Sequence, residues 1–493
     1  MSRQASGGLL NADSWKGNLF GALGWEPAAG GDIAVIEKAT GRHLAWIGQA
    51  SKTDVLTAAS RAAVAQRGWA AAPYEERAAI LRAAGEALSR HASEIEHWIV
   101  REAGAVPVKA ASEVYGAVLE CQEAAALPSF PSGRVLPTGA PRWSFARRRP
   151  AGVVSVIAPF NTPLFLAIRS VAPALALGNS VLLKPDPRTP ISGGAVIVAA
   201  FQAAGLPAGV LQLLLGGAGV GEALVTAPEV RIVSFTGSTL AGRSVARLAG
   251  EHLKRAHLEL GGNGALIILP GADLTKAAAA GSFGSFMHQG QICMTTGRHL
   301  VHESLHSAYV EALVEEAQRL TVGNPATEQV ALGPVIDEVQ VARINRLVTS
   351  TVAAGARLAT GGTHEGLFYR PTVLAGVTPE MPAYAEEVFG PVAPVVPFAT
   401  VDEAIALAGD TEYGLSLGIL GDVGMAMEVA DSIPCGIIHI NEQTIGDEAN
   451  APFGGVRASG NGSRFGGRRP TLRRSRKLSG SQCAPTLPPI PSS

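Results

Sequence analysis

Cysteine is scarce in this chain, with 4 in 493 residues at positions 121, 293, 435 and 483, far apart and never in a CxxC spacing. That excludes a disulfide framework and a cysteine-built metal site, and it fits a reducing cytoplasm. Charge of one sign is also missing. Lys plus Arg number 40 against 41 Asp plus Glu, a formal net charge of −1. No basic surplus marks the chain for nucleic acid or an anionic membrane. Long apolar runs are absent too. The most apolar stretches, 152–159 and 210–216, are broken by Gly, Pro or polar residues well short of spanning length. The first dozen residues are polar and Gly-rich, without a basic-then-apolar leader. A soluble cytoplasmic protein with no nucleic-acid partner, no membrane partner and no metal is the expectation.

Hydrophobic residues make up 47% of the chain. At this length that material should divide into two or three cores. Residues 52–126 read as helical, because 54–67, 74–90 and 92–102 are rich in Ala, Leu, Glu and Arg with apolar positions recurring at three and four. From residue 151 the pattern changes. Short apolar runs at 153–158, 180–184, 210–215, 232–236 and 265–269 alternate with Ala-rich helical stretches such as 164–176 and 191–204. Such alternation predicts an α/β fold with a mostly parallel, helix-covered sheet. A second alternating set follows residue 263. The Arg-rich stretch 143–149 reads as an extended hairpin arm outside either core. The last 27 residues combine a run of Arg and Lys with a Pro/Ser tail, a composition that predicts disorder.

Four local patterns can carry chemistry. Cys293 lies in Gly-Gln-Ile-Cys-Met-Thr-Thr-Gly-Arg (290–298). A free cysteine is more often an inert small hydrophobe. A tight loop with backbone N–H groups near the sulfur can instead lower a thiol pKa and bind an oxyanion. Glu259 ends an apolar segment in Leu-Glu-Leu-Gly-Gly-Asn (258–263). It reads either as a strand-end surface acid or, if buried, as a general base whose pKa desolvation raises. Asn161 follows the 153–158 run in Ala-Pro-Phe-Asn-Thr-Pro (158–163). It serves turn geometry alone or aims an amide at a developing oxyanion. Gly237 and Ser238 follow the 232–236 run and open a helix whose first N–H groups suit a phosphate, although a Gly-Ser cap is common.

Together these motifs resemble the aldehyde dehydrogenase superfamily. The likeness runs over 152–466 in the order Pro-Phe-Asn (159–161), Leu-Leu-Lys-Pro (182–185), Phe-Thr-Gly-Ser (235–238), Leu-Glu-Leu-Gly-Gly (258–262), Gly-Gln-Ile-Cys (290–293), Glu-Val-Phe-Gly-Pro (387–391) and Pro-Phe-Gly-Gly (452–455). The resemblance implies a Rossmann-type cofactor domain (1–128 and 150–261), a second α/β catalytic domain (262–466) and an oligomerisation arm (129–149 and 467–493). It implies Cys293 as nucleophile, Glu259 as the base for deacylation and Asn161 as oxyanion donor. Lys184, Gly237, Ser238, Glu387 and Phe389 would bind NAD. Phe160, Phe165 and Phe453 would wall the substrate pocket. The reaction implied is oxidation of a small aldehyde to its acid through a thiohemiacetal and thioester on the cysteine. Stretches 182–189, 285–300 and 459–467 are most similar to benzaldehyde dehydrogenases, which points to an aromatic aldehyde. An aliphatic aldehyde or a semialdehyde held by Arg169 or Arg457 is the alternative, and a non-catalytic protein on the same fold is a third reading.

Departures from the family pattern matter as well. Many NAD-preferring relatives carry Glu where this chain has Pro187, so NADP should be tolerated beside NAD. A Lys and a Glu that relay protons in some relatives are Ser170 and Arg464 here. The family assembles as homodimers or homotetramers, closing the arm of a neighbour with a C-terminal strand. The basic tail here should leave that arm edge unpaired. Codons for residues 470–480 can be chosen so that a neighbouring frame spells Asn-Leu-Glu-Ala-Phe-Thr-Glu-Thr-Gln-Trp, the tail of the similar enzymes, which suggests a frameshift near Gly467.

Overall fold

The computed structural model describes residues 8–139, 141–462, 466 and 476–483. Two seven-stranded sheets carry the cores. The first runs Arg255–Glu259, Val230–Thr236, Val153–Ile157, Ser180–Lys184, Leu211–Leu213, Asn18–Gly21 and Gly24–Pro27. Its first five strands are parallel and its last two antiparallel. Val153–Ile157 and Ser180–Lys184 are buried at every position, as expected of strands covered on both faces. Helices Lys52–Ala71, Tyr74–Arg90, Pro107–Ala126 and Pro163–Ala176 share that core. The first opens on a capping box made by Ser51 and Asp54, which satisfies two N–H groups at the helix start.

The second sheet runs Arg357–Thr360, Thr372–Ala375, Val392–Phe398, Thr296–His302, Gly264–Ile268, Ser416–Leu420 and Ile437–Ile440, parallel except at its first pair. Apolar clusters pack on both of its faces. The predicted alternation of strand and helix is therefore present in both halves. The four N-terminal strands between residues 18 and 48 were not predicted. Their half-buried, Gly-interrupted patterns carry no clean alternation.

Strands Gly133–Leu136 and Trp143–Pro150 form the expected arm. Contrary to expectation, its outer edge is paired. Arg476–Cys483 runs antiparallel to Trp143–Pro150, from Arg476 opposite Pro150 to Cys483 opposite Trp143. Composition misled here, because an open edge recruits backbone N–H and C=O groups whatever the side chains, and this octet contains no proline. Residues 467–475, where the frame change was expected, and 484–493 lie outside the described residues. Among the described residues no helix is long and apolar enough to cross a membrane, and no group of three or more His, Cys, Asp or Glu is arranged for a metal ion.

Candidate active site

Four adjacent strands of the first sheet end level with one another. Ile157 lies opposite both Lys184 and Phe235, and Thr236 lies opposite Glu259. The chain builds outward from Val153–Ile157 on one side and then crosses back to Val230–Thr236 on the other. The loops leaving those two strands carry Asn161 and Gly237-Ser238. Parallel sheets gather ligands at such a reversal, outside the carboxyl ends of the strands.

Ser238 caps helix Thr239–Glu251, its hydroxyl accepting from the Ala241 N–H. The Gly237 N–H donates to the Glu259 carbonyl at 3.0 Å, so the helix start is pinned to the neighbouring strand end. Lys184 is buried, and its ammonium makes one long hydrogen bond of 3.4 Å to the Pro185 carbonyl. Burial holds that amine below the usual lysine range, with the Asp186 carboxylate opposing. A desolvated ammonium with three donors and so little to donate to fits a ligand bearing hydroxyls or phosphate. Glu387 is pushed up to about 7 by burial, against the Gly262 N–H and the Arg343 charge. One of its oxygens accepts from Gly262 N–H at 2.9 Å. Phe389 adopts the left-handed region at φ 53°, uncommon for a bulky residue. The Gln340 amide holds its carbonyl at 2.8 Å.

The cysteine loop is more strained. After helix Leu274–Phe286, residues His288, Gln289 and Gly290 have φ of 50°, 57° and 66°. Glycine is required at 290, because a side-chain carbon there would meet the Gly390 carbonyl oxygen at 2.1 Å. The Gln289 amide anchors the turn to the Gly104 carbonyl at 3.0 Å. Strain held by surrounding contacts is a recurring property of functional loops. The Asn161 amide reaches into this loop, donating to the Gln291 carbonyl at 2.8 Å. From the other side Gly262 abuts Cys293, where a side-chain carbon would lie 2.3 Å from the cysteine carbonyl oxygen. Asn161, the Glu259–Gly262 segment, Glu387 and Cys293 thus converge.

Glu259 is buried and Cys293 half-buried. The thiol is pushed up to about 12, first by burial and then by the charges of Glu387, Glu259 and Asp447. This reverses the expectation of a lowered thiol pKa. The loop's N–H groups are outweighed by burial, and after it by three carboxylates that arrive from distant parts of the sequence.

Phe453 packs with Cys293, Ile292, Met294, Leu415 and Ile445 in one small apolar cluster. Arg169 lies between two rings, 4.8 Å from the centre of Phe453 and 4.6 Å from that of Phe165. Its guanidinium is also paired with Glu120 at 2.8 Å and Asp447 at 2.5 Å. Phe160 belongs to a different group. Its ring meets Phe389 edge-on at 6.0 Å and lies under Arg188, which is bound to Asp186 and Asp337. Arg457 donates to the carbonyls of Gly409 and Thr411. Ser170 bonds Ser234 at 3.0 Å, and Arg464 lies outside the described residues. Sequence reasoning missed Gln291, Glu120 and Asp447. It also missed Lys109 and Glu113, whose i,i+4 spacing on an Ala-rich helix was the one available signal.

Residues 25–473 match the model described as "Aldehyde dehydrogenase family". The chain is 61% identical to a vanillin dehydrogenase of Amycolatopsis sp., over 93% of this chain and 94% of that one. It is 46% identical to a benzaldehyde dehydrogenase [NAD(+)] of Pseudomonas putida, over 92% and 93%. A solved salicylaldehyde dehydrogenase from Pseudomonas putida G7, complexed with salicylaldehyde, superposes with a TM-score of 0.92 at 34% identity, covering 97% of this chain and 100% of that one.

Proposed function

Since this chain belongs to the aldehyde dehydrogenase family, we propose that it oxidises an aromatic aldehyde to the carboxylic acid with NAD. The observation that carries the reading is the convergence of Asn161, Glu259 and Cys293, tied through the Gln291 carbonyl and the Gly262–Cys293 approach. Cys293 attacks the aldehyde carbon and forms a C–S bond, its thiol proton passing to water. The Asn161 amide exchanges the Gln291 carbonyl for the developing oxyanion, a donor worth about 3 kcal/mol in such sites. When bound, NAD+ supplies a cationic ring that favours the thiolate and accepts the hydride. Glu259 then takes a proton from water, the water oxygen attacks the Cys293 thioester, and the C–S bond breaks to release the acid. Lys184, Gly237, Ser238, Glu387 and Phe389 hold the cofactor in this reading. The buried, under-bonded Lys184 ammonium is its main physical support.

The aromatic preference draws support from the names of the relatives and from the rings of Phe165 and Phe453 beside the cysteine cluster. Phe160, edge-on to Phe389 and under Arg188, fits the cofactor side better than the substrate wall. A semialdehyde would need an arginine to spare, and Arg169 is committed to two carboxylates while Arg457 is committed to two carbonyls. Exposed Val135, Leu136 and Trp143 on the arm suit assembly as a homodimer or homotetramer. A cytoplasmic location accords with Cys121 and Cys293, neither of which forms a disulfide among the described residues.

The test is a panel of benzaldehyde, hexanal and succinic semialdehyde, followed at 340 nm. Benzaldehyde should lead in kcat/KM by about tenfold or more, roughly 1.4 kcal/mol, and Cys293→Ala should abolish NADH formation. A lead for succinic semialdehyde would overturn the aromatic assignment. Undiminished activity of Cys293→Ala would overturn the mechanism.

A further inference from the structure

The turn that presents Asn161 is held from outside its own segment. Helix Pro163–Ala176 begins with no capping side chain of its own. The free N–H groups of Leu164 and Phe165 donate instead to one Glu113 oxygen, at 2.8 and 3.3 Å. Glu113 is paired with Lys109, one turn earlier on helix Pro107–Ala126, and the Lys109 ammonium donates to the Asn161 carbonyl at 2.9 Å. Both side chains are nearly inaccessible, at 5% and 1%. A single buried ion pair therefore grips the Asn161–Phe165 turn at both ends, by its carbonyl and by its helix start.

We infer that Lys109 and Glu113 are positioning residues that set where the Asn161 amide points, an inference that rests on the oxyanion role proposed for Asn161. Burying two charges is costly, and an apolar pair of the same volume is often as stable. A Ser or Asp at the helix start would satisfy the end locally. Neither substitute would also fix the Asn161 carbonyl. What the pair adds is geometry, and a misplacement of about 1 Å in a catalytic group can cost about 10²-fold in rate. Once its backbone is held, Asn161 keeps only side-chain torsions, and those carry the amide to the Gln291 carbonyl, two residues before the cysteine. The same helix seats a ring of the proposed pocket wall. Gly116 leaves room for Phe165, whose Cδ2 would lie 2.9 Å from any side-chain carbon at that position.

Removing one partner alone strands a buried charge, so the test variant is Lys109→Met with Glu113→Gln. Its single-turnover rate of NADH formation with benzaldehyde is compared with those of the parent, of Asn161→Ala and of the triple variant. The pair variant should be slower by 10-fold or more, with the Kd for NAD+ unchanged within twofold. In the Asn161→Ala background the same two changes should have less than a twofold effect, since the group they position is gone. An equal loss in both backgrounds means general loosening and overturns the inference, as does a pair variant within twofold of the parent. Asn161→Ala running at the parental rate defeats the oxyanion role first and the positioning role with it. Should the pair variant not fold, Glu113→Asp keeps both charges, shortens the reach by one methylene and meets the same criterion. Its loss must vanish in the Asn161→Ala background.

Discussion

The Asn161 side-chain amide donates to the Gln291 carbonyl at 2.8 Å, joining positions 130 apart in the chain. One partner leaves the first sheet at its topological reversal, and the other lies in the strained loop between strands Gly264–Ile268 and Thr296–His302 of the second sheet. The contact keeps a strong donor satisfied, so in the proposed reaction exchanging it for an oxyanion would trade one hydrogen bond for a charge-assisted one. That exchange strengthens only as negative charge develops, which is the requirement for accelerating the chemical step.

The ligand-free thiol should be unreactive at neutral pH. Burial and the charges of Glu387, Glu259 and Asp447 push Cys293 up to about 12, so the thiolate fraction rises about tenfold per pH unit below that value. Iodoacetamide labelling of Cys293, followed by mass spectrometry, should climb log-linearly from pH 7 to 9.5. A plateau below pH 8 would show that burial and the carboxylates do not govern the sulfur.

Replacing Glu259, the proposed base, should separate the two halves of the reaction. In Glu259→Gln the burst of NADH should persist at about one per Cys293, while steady turnover falls by roughly 10²- to 10⁴-fold. Rapid-mixing absorbance at 340 nm resolves the phases. Loss of the burst together with turnover would move Glu259 to the first half.

Cofactor choice should be loose at Pro187. Asp186 beside it is neutralised by Arg188, at 2.8 Å through two guanidinium nitrogens, and no carboxylate at 187 repels a 2′-phosphate. The ratio of kcat/KM for NADP+ over NAD+ should exceed 10⁻³, a discrimination of less than about 4 kcal/mol. Pro187→Glu should lower that ratio about tenfold or more. An unchanged ratio in the variant would place the discrimination elsewhere.

Acid should destabilise the second half of the chain through His299. Burial pushes this imidazole down to about 3, and it bonds Ser285 and Tyr309 at 2.7 Å on its two nitrogens. A depressed pKa means that below about 6.5 the unfolded chain takes a proton the folded one refuses. Stability is therefore lost progressively as pH falls from about 6.5 to 3. Between pH 7 and 5 the parent should lose roughly 2 kcal/mol more than His299→Gln in urea unfolding, on the order of 1.36 kcal/mol per unit of separation. The raised carboxyls of Glu102 and Glu387 act in the opposite sense, both near 7, and cancel between parent and variant. Parallel pH profiles would remove His299 as the cause.

Much of this was legible locally, because local chemistry produced it. Runs such as Val153–Ile157 and Ser180–Lys184 are apolar throughout, being covered on both faces. The Gly-Gln-Ile-Cys loop is recognisable because only glycine fits where residue 290 meets the Gly390 carbonyl. The N-terminal strands were not legible, since edge and hairpin strands satisfy half their backbone groups outside any apolar pattern.

Taken alone, the order of motifs from Pro-Phe-Asn to Pro-Phe-Gly-Gly determined the family and the α/β alternation, and it singled out the sulfur proposed to react. Each of those depends on neighbours in the chain. Tertiary structure alone decided the state of the sulfur, because its burial, and the approach of the carboxylates at 259, 387 and 447, come only after both sheets have formed. Packing also decided that a Lys–Glu pair with the spacing of a solvated helix face is buried against the Asn161 turn, and that an octet of the basic tail closes the arm. Desolvation and Coulomb energy depend on distance through space, and sequence separation carries almost no information about that distance.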